Sequence, residues 1–88
     1  MQFEWDEDKN QSNIKKHGIS FEIATKAFAD PNRQITKDEK HSKKEKRLYC
    51  VGRVEGEIIM VVFTIRNGNI RIISAGNWRQ GKEKYEKC

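Results

Sequence analysis

The pattern of apolar positions changes about halfway along the chain. Between Glu7 and His17 the only apolar side chain is Ile14. Asp6 is a suitable N-cap there, Glu7 and Asp8 fall in the first turn, and Lys15, Lys16 and His17 fall in the last. With Gly18 following, these signals predict a short helix over 7–17, held by Ile14 with Trp5 just before its start. A second helix opens at Ser20, where Ile19 can staple onto Ala24. Phe21, Ala24 and Phe28 recur at helical spacing, and Ile23 and Ala27 widen the stripe. Asp30-Pro31 ends it.

A short strand is expected over 33–37, followed by a solvated loop over 37–46 that contains no apolar residue. The period then becomes two, and strands are predicted over 47–54, 57–66 and 69–75. Glu55-Gly56 and Asn67-Gly68 read as two-residue turns. Such turns place Val54 opposite Glu57, Val51 opposite Met60, Tyr49 opposite Val62 and Arg47 opposite Thr64. On the other hairpin they place Arg66 opposite Asn69, Thr64 opposite Arg71 and Val62 opposite Ile73. Alternation then collects Leu48, Cys50, Val54, Ile59, Val61, Phe63, Ile65, Ile70 and Ile72 on one face, which must pack on the helices. The stretch from Trp78 to Lys87 reads as a last, polar helix despite Gly81 within it. The expected fold class is α+β: two N-terminal helices on one face of a three- to four-stranded antiparallel sheet, with a short C-terminal helix.

Length confines this to one domain, since the chain has 88 residues. Hydrophobic and charged residues each make up 35%, so the core is small and a partner or oligomer contact would add stability. The run Ile58 to Phe63 is far too short to span a bilayer. The acidic, polar start resembles no targeting segment, and a soluble cytoplasmic protein is expected. Cys50 and Cys88 form no metal or redox motif; the first reads as a small buried residue and the second as a terminal thiol.

Charge narrows the partner. Eighteen Lys and Arg against 13 Asp and Glu leave a net charge of +5, which suits an anionic surface such as nucleic acid. The second sheet face carries Arg47, Tyr49, Arg53, Thr64, Arg66 and Arg71 among Val51, Ile58, Met60, Val62 and Ile73. Arginine forks match phosphate, and a tyrosine ring can stack an unpaired base. An ordinary solvent face half covered by the C-terminal helix gives the same pattern, so both readings stand. Lys16 and His17 could move protons, although Lys-His-Gly is also a favourable helix end. Trp5 and Trp78 read as anchors, and His41 as solvated. Lys40, Lys43 and Lys44 form a basic loop that either adds salt-dependent RNA affinity or only solubilises. No paired carboxylates, nucleophile triad, phosphate-binding glycine loop or metal-ligand cluster is present, so the chemistry would run without metal or cofactor.

Phe3-Glu4-Trp5-Asp6, then Lys9, Asn13 and Lys16-His17-Gly18-Ile19-Ser20-Phe21, resemble the opening of the BrnT family of ribonuclease toxins. The resemblance continues through Phe28, Asp30-Pro31, His41-Ser42, Glu45, Arg47, Gly52, Ile59 to Thr64, Arg71-Ile72-Ile73-Ser74-Ala75 and Tyr85-Glu86. It implies a RelE-like fold, metal-independent RNA cleavage that arrests translation, and a cognate BrnA-type antitoxin. Where the family continues from Ile-Ser-Ala into an arginine, this chain has Gly76-Asn77-Trp78-Arg79, so Arg79 is the candidate substitute. The expected site has Arg66, Arg71 and Arg79 stabilising phosphoryl charge, Lys16 or His17 moving protons, and Arg47, Tyr49, Arg53, Lys43, Lys44 and Tyr85 holding RNA. The rivals are a non-catalytic RNA-binding module and an antitoxin-binding face. Both a homodimer and a toxin–antitoxin heterotetramer fit, and no membrane partner is expected.

Overall fold

The computed structural model describes residues 2–40 and 45–86. His41, Lys43, Lys44 and Cys88 lie outside that range. Five strands form one mixed sheet: β1 (Phe3–Glu4), β2 (Gln34–Asp38), β3 (Arg47–Val54), β4 (Glu57–Arg66) and β5 (Asn69–Gly76), in the order β1-β5-β4-β3-β2. The four longer strands are antiparallel neighbours, whereas β1 runs parallel to β5 at the edge. The fully antiparallel sheet of three to four strands expected above is therefore corrected. A two-residue strand has no readable period, and it exists because β5 offers a free edge.

Both turns close as expected. Glu55 and Asn67 have φ of 48° and 53°, each followed by a glycine at positive φ. This is the backbone that continues the right-handed twist of the strands. Val54 faces Glu57, Val51 faces Met60 and Tyr49 faces Val62. Arg66 faces Asn69 and Thr64 faces Arg71. Farther along, the register slips: Phe63 pairs with Ile72 but Val62 pairs with Ser74, leaving Ile73 as a bulge. The expected Val62–Ile73 pair is thus replaced by Val62–Ser74. The short strand expected over 33–37 runs over Gln34–Asp38, one residue into the expected loop, and Asp38 is buried opposite Arg47.

Helix α1 (Glu7–His17) is capped by Asp6, whose carboxylate accepts from the backbone N–H of Asp8 and Lys9, and ends at left-handed Gly18. Its anchors are not the expected Ile14, which is 37% exposed. They are Asn10 and Asn13, both buried. The Phe21 N–H donates to Asn10 Oδ1 at 2.8 Å. Asn13 Nδ2 donates to the carbonyls of Ile19 and Ala75, each at 2.8 Å, and its Oδ1 accepts from the Ala75 N–H at 3.2 Å.

Helix α2 (Phe21–Thr25) tightens into a 3-10 turn over Lys26–Ala29 before Pro31. Phe21, Ala24 and Ala27 are fully buried, while Ile23 is exposed rather than part of the stripe. These elements cover the sheet face that carries Cys50, Val54, Ile59, Val61, Phe63 and Ile72. Burial in that core pushes the Cys50 thiol up to about 12, which leaves it protonated and inert.

Helix α3 (Arg79–Glu86) lies on the opposite face, against β3 and β4. Gly81 makes this possible. A Cβ there would stand 2.7 Å from Met60 Cβ, so the glycine inside the predicted helix is its contact point.

Candidate functional site

Because α3 lies across it, the centre of the second sheet face is closed. Val51 and Met60 are buried there. The helix covers the β3–β4 part of this face, while Arg53 and Arg66 stay exposed on it. The cations around it also have partners. Arg66 pairs with Glu45 at 2.7 Å, and Arg71 pairs with Glu4 at 2.8 Å. The Arg71 guanidinium and the Asn69 amide hold the Glu4 carboxyl below its usual range. Arg79 is 93% exposed and turned toward Glu83, one helical turn on.

At the C-terminal end of α3, the Tyr85 hydroxyl donates to Asp30 Oδ2 at 2.6 Å. The same carboxylate accepts from the Arg53 N–H at 2.7 Å and, through Oδ1, from the Asn32 N–H at 2.8 Å. The Arg53 guanidinium sits 5.6 Å from the Tyr85 ring centroid. Tyr85 and Arg53 thus fasten α3 to the turn after the 3-10 segment. Tyr49 lies beneath the same helix, 5.8 Å from Lys84 Nζ. Burial, followed by its hydrogen bond to Asp38, raises the Tyr49 hydroxyl above its ordinary value. Arg47 is half-buried on the same face.

The open lane lies between α1 and β5. Lys9, Ser12, Asn13 and Lys16 fall at helical spacing on one side of α1. With His17, Ile73 and Ser74 they line a groove of about 200 Å³. Two features build it. The two-way pairing of Asn13 with Ala75 lays α1 along the strand, and the bulge places Ile73 and Ser74 together in the groove wall. Among the described residues no carboxylate lines the groove, and its free polar groups are Lys9, Lys16, His17 and the two serine hydroxyls. Lys16 and His17 both line it. Arg71 lies on β5 three positions before Ser74, while Arg79 is not part of the lining.

The place after Ala75 is also explained. A Cβ on Gly76 would meet Trp78 Cε2 at 2.7 Å, so the indole occupies the space that a side chain at 76 would take. The Trp78 ring in turn meets His17 edge-on, with centroids 5.1 Å apart. Trp78 is thus an anchor, and what it holds in place is the His17 end of α1.

The family model of the BrnT ribonuclease toxins of type II toxin–antitoxin systems matches residues 5–82. The chain belongs to the BrnT family. No curated protein matches it. In this BrnT chain the groove residues that sequence reasoning missed are Lys9, Ser12 and Ser74. The Lys9-to-Lys16 spacing was a usable signal for the helical side. Nothing local announced Ser74, because its place depends on the bulge.

Proposed function

We propose that this BrnT chain is an endoribonuclease that acts in the cytoplasm, seats RNA along the lane between α1 and β5, and is neutralised by a cognate antitoxin. A RelE-like arrangement is part of the same reading. The observation that carries it is the α1–β5 groove: cations and hydroxyls with no carboxylate among its described residues, on a chain of net charge +5. Such a groove attracts phosphate and repays its desolvation with charge-assisted hydrogen bonds.

The reaction is an internal transesterification. The ribose 2′-oxygen bonds to the adjacent phosphorus while the bond from phosphorus to the 5′-oxygen breaks. One of Lys16 and His17 accepts the 2′-hydroxyl proton, and the other supplies a proton to the departing 5′-oxygen. The products are a 2′,3′-cyclic phosphate and a 5′-hydroxyl end. Cationic side chains, Lys9 nearest and Arg71 farther along β5, stabilise charge on the phosphoryl oxygens. Arg66 continues the lane past Arg71. Tyr49, Arg53 and Tyr85 act beyond the groove by holding α3 and its flanks, with Arg47, Lys43 and Lys44 as further phosphate contacts. Cleavage of messenger RNA would arrest translation.

The test is incubation of the purified protein with single-stranded RNA and mapping of the new ends. Cyclic-phosphate ends from the unaltered protein, reduced about a hundredfold or more in Lys16→Ala and His17→Ala, support the reading. Tight RNA binding without new ends would leave a binding module instead.

A further inference from the structure

The helical layer stops short of the far end of the sheet. Ile35 and Ile65 lie on the face that α1 and α2 cover elsewhere, yet they are 52% and 46% exposed. With Phe28, Leu48, Phe63 and Ile70 they line an apolar depression of about 390 Å³. Its floor continues the hydrophobic core: the Phe28 and Phe63 rings meet edge-on at 5.1 Å. A sheet face of this kind is normally closed by a second layer, and a contiguous exposed apolar surface on a small domain marks an interaction site.

Charge selects the occupant. Among the described residues Arg33 lines the depression and no carboxylate does. Lys37, opposite Leu48 on β2, stands on the same face with the Glu39 carboxylate 4.0 Å from its Nζ, so Arg33 is the cation that faces the depression. A second copy of this chain would bring the same cation and its own net charge of +5, so like charges would oppose the contact. An apolar stripe flanked by acidic residues satisfies both the floor and the rim. A helix supplies that stripe at i, i+3, i+4 and i+7, and it extends the layer already present.

We propose that this depression is the docking site for an amphipathic, acid-flanked helix of a partner protein, separate from the α1–β5 groove. Taking the partner to be the antitoxin rests on the reading above. The toxin would then be held through a surface that shares no lining residue with its cutting groove.

The experiment titrates the purified chain with the antitoxin encoded beside it and reads affinity, with RNA-end mapping run in parallel. The Ile35→Asp/Ile65→Asp double variant alters two exposed positions and should remain folded by circular dichroism. It should bind about thirtyfold more weakly, and Arg33→Glu about tenfold more weakly. Lys16→Ala should bind as the unaltered chain does. RNA cleavage by the Ile35/Ile65 variant should persist, so failure of the nuclease reading and failure of the docking site give different results. Antitoxin affinity within about twofold of normal in both surface variants would overturn the proposal. So would loss of antitoxin binding in Lys16→Ala alone, or absence of antitoxin binding by the unaltered chain. A double variant that loses only self-association would assign the surface to a second copy and overturn it as well.

Discussion

The side chain of Asn13 pairs with both backbone groups of Ala75, 62 residues away, and closes the edge of β5 that β1 leaves open. A third bond runs from the same amide to the Ile19 carbonyl. One polar side chain therefore fixes α1 to the sheet and to the start of α2. A helix with a single, exposed apolar residue needs such a tie, because it has almost no hydrophobic surface to bury.

Asn13→Ala should accordingly cost about 3 kcal/mol, since it strands buried backbone groups as well as removing their bonds. Ile14→Ala, at a 37% exposed position, should cost under about 1 kcal/mol. Urea denaturation of the two variants decides the matter. A larger loss at Ile14 than at Asn13 would mean that α1 is held by apolar contact after all.

Glu55 occupies a positive-φ position, with φ of 48°, that asparagine adopts more readily. Glu55→Asn should raise stability by about 0.5–1 kcal/mol. Thermal melts of the two proteins test this, and an unchanged or lower midpoint counts against strain at the turn.

The clasp on α3 predicts a specific pH dependence. The Tyr85 hydroxyl first, then the N–H groups of Arg53 and Asn32, hold Asp30 below its ordinary value of 3.8. A carboxylate with a depressed folded pKa contributes fully above its unfolded value and loses that contribution as pH falls through the folded one. Tyr85→Phe removes the main cause of the shift. It should be less stable than the unaltered chain at neutral pH, and the gap should narrow once pH falls below 3.8. Denaturation midpoints at about pH 7 and about pH 3 show whether it does. A gap of equal size at both would rule out the hydroxyl–carboxylate bond as its source.

Among the arginines, cleavage should separate Arg71 from Arg79. Arg71→Ala is expected to lose about a hundredfold or more in rate. Arg79→Ala, at a side chain 93% exposed, should stay within about threefold. Glu4→Gln frees the Arg71 guanidinium from its carboxylate partner and should leave cleavage equal or faster. Rates on one RNA substrate suffice for all three. A slow Glu4→Gln variant would show that the ion pair serves the site, and a slow Arg79→Ala variant would return that residue to it.

Much of the scaffold was legible locally. The caps at Asp6 and Ser20, the end of α1 at Gly18, both two-residue turns and most of the strand register follow from residue type and spacing. The site was legible only in part. Lys16 and His17 announce themselves as the basic end of a helix. Their association with Lys9, Ser12 and Ser74 requires α1 to lie along β5, which no periodicity encodes. The alternating pattern also identified a basic face and left open its partial cover by the C-terminal helix; the packing of α3, where Gly81 lets the helix settle onto Met60, supplies that cover.

The sequence alone determined what is short-range: which segments become helices and hairpins, which side chains share a strand face, and the excess of positive charge. Those depend on backbone conformations set by neighbouring residues. The tertiary structure decided the bulge at Ile73, the parallel edge strand, the tie between Asn13 and Ala75, and which parts of each face stay open. These depend on pairings of backbone and buried polar groups across the whole chain, where a single residue of register or one missing Cβ changes which surface meets solvent.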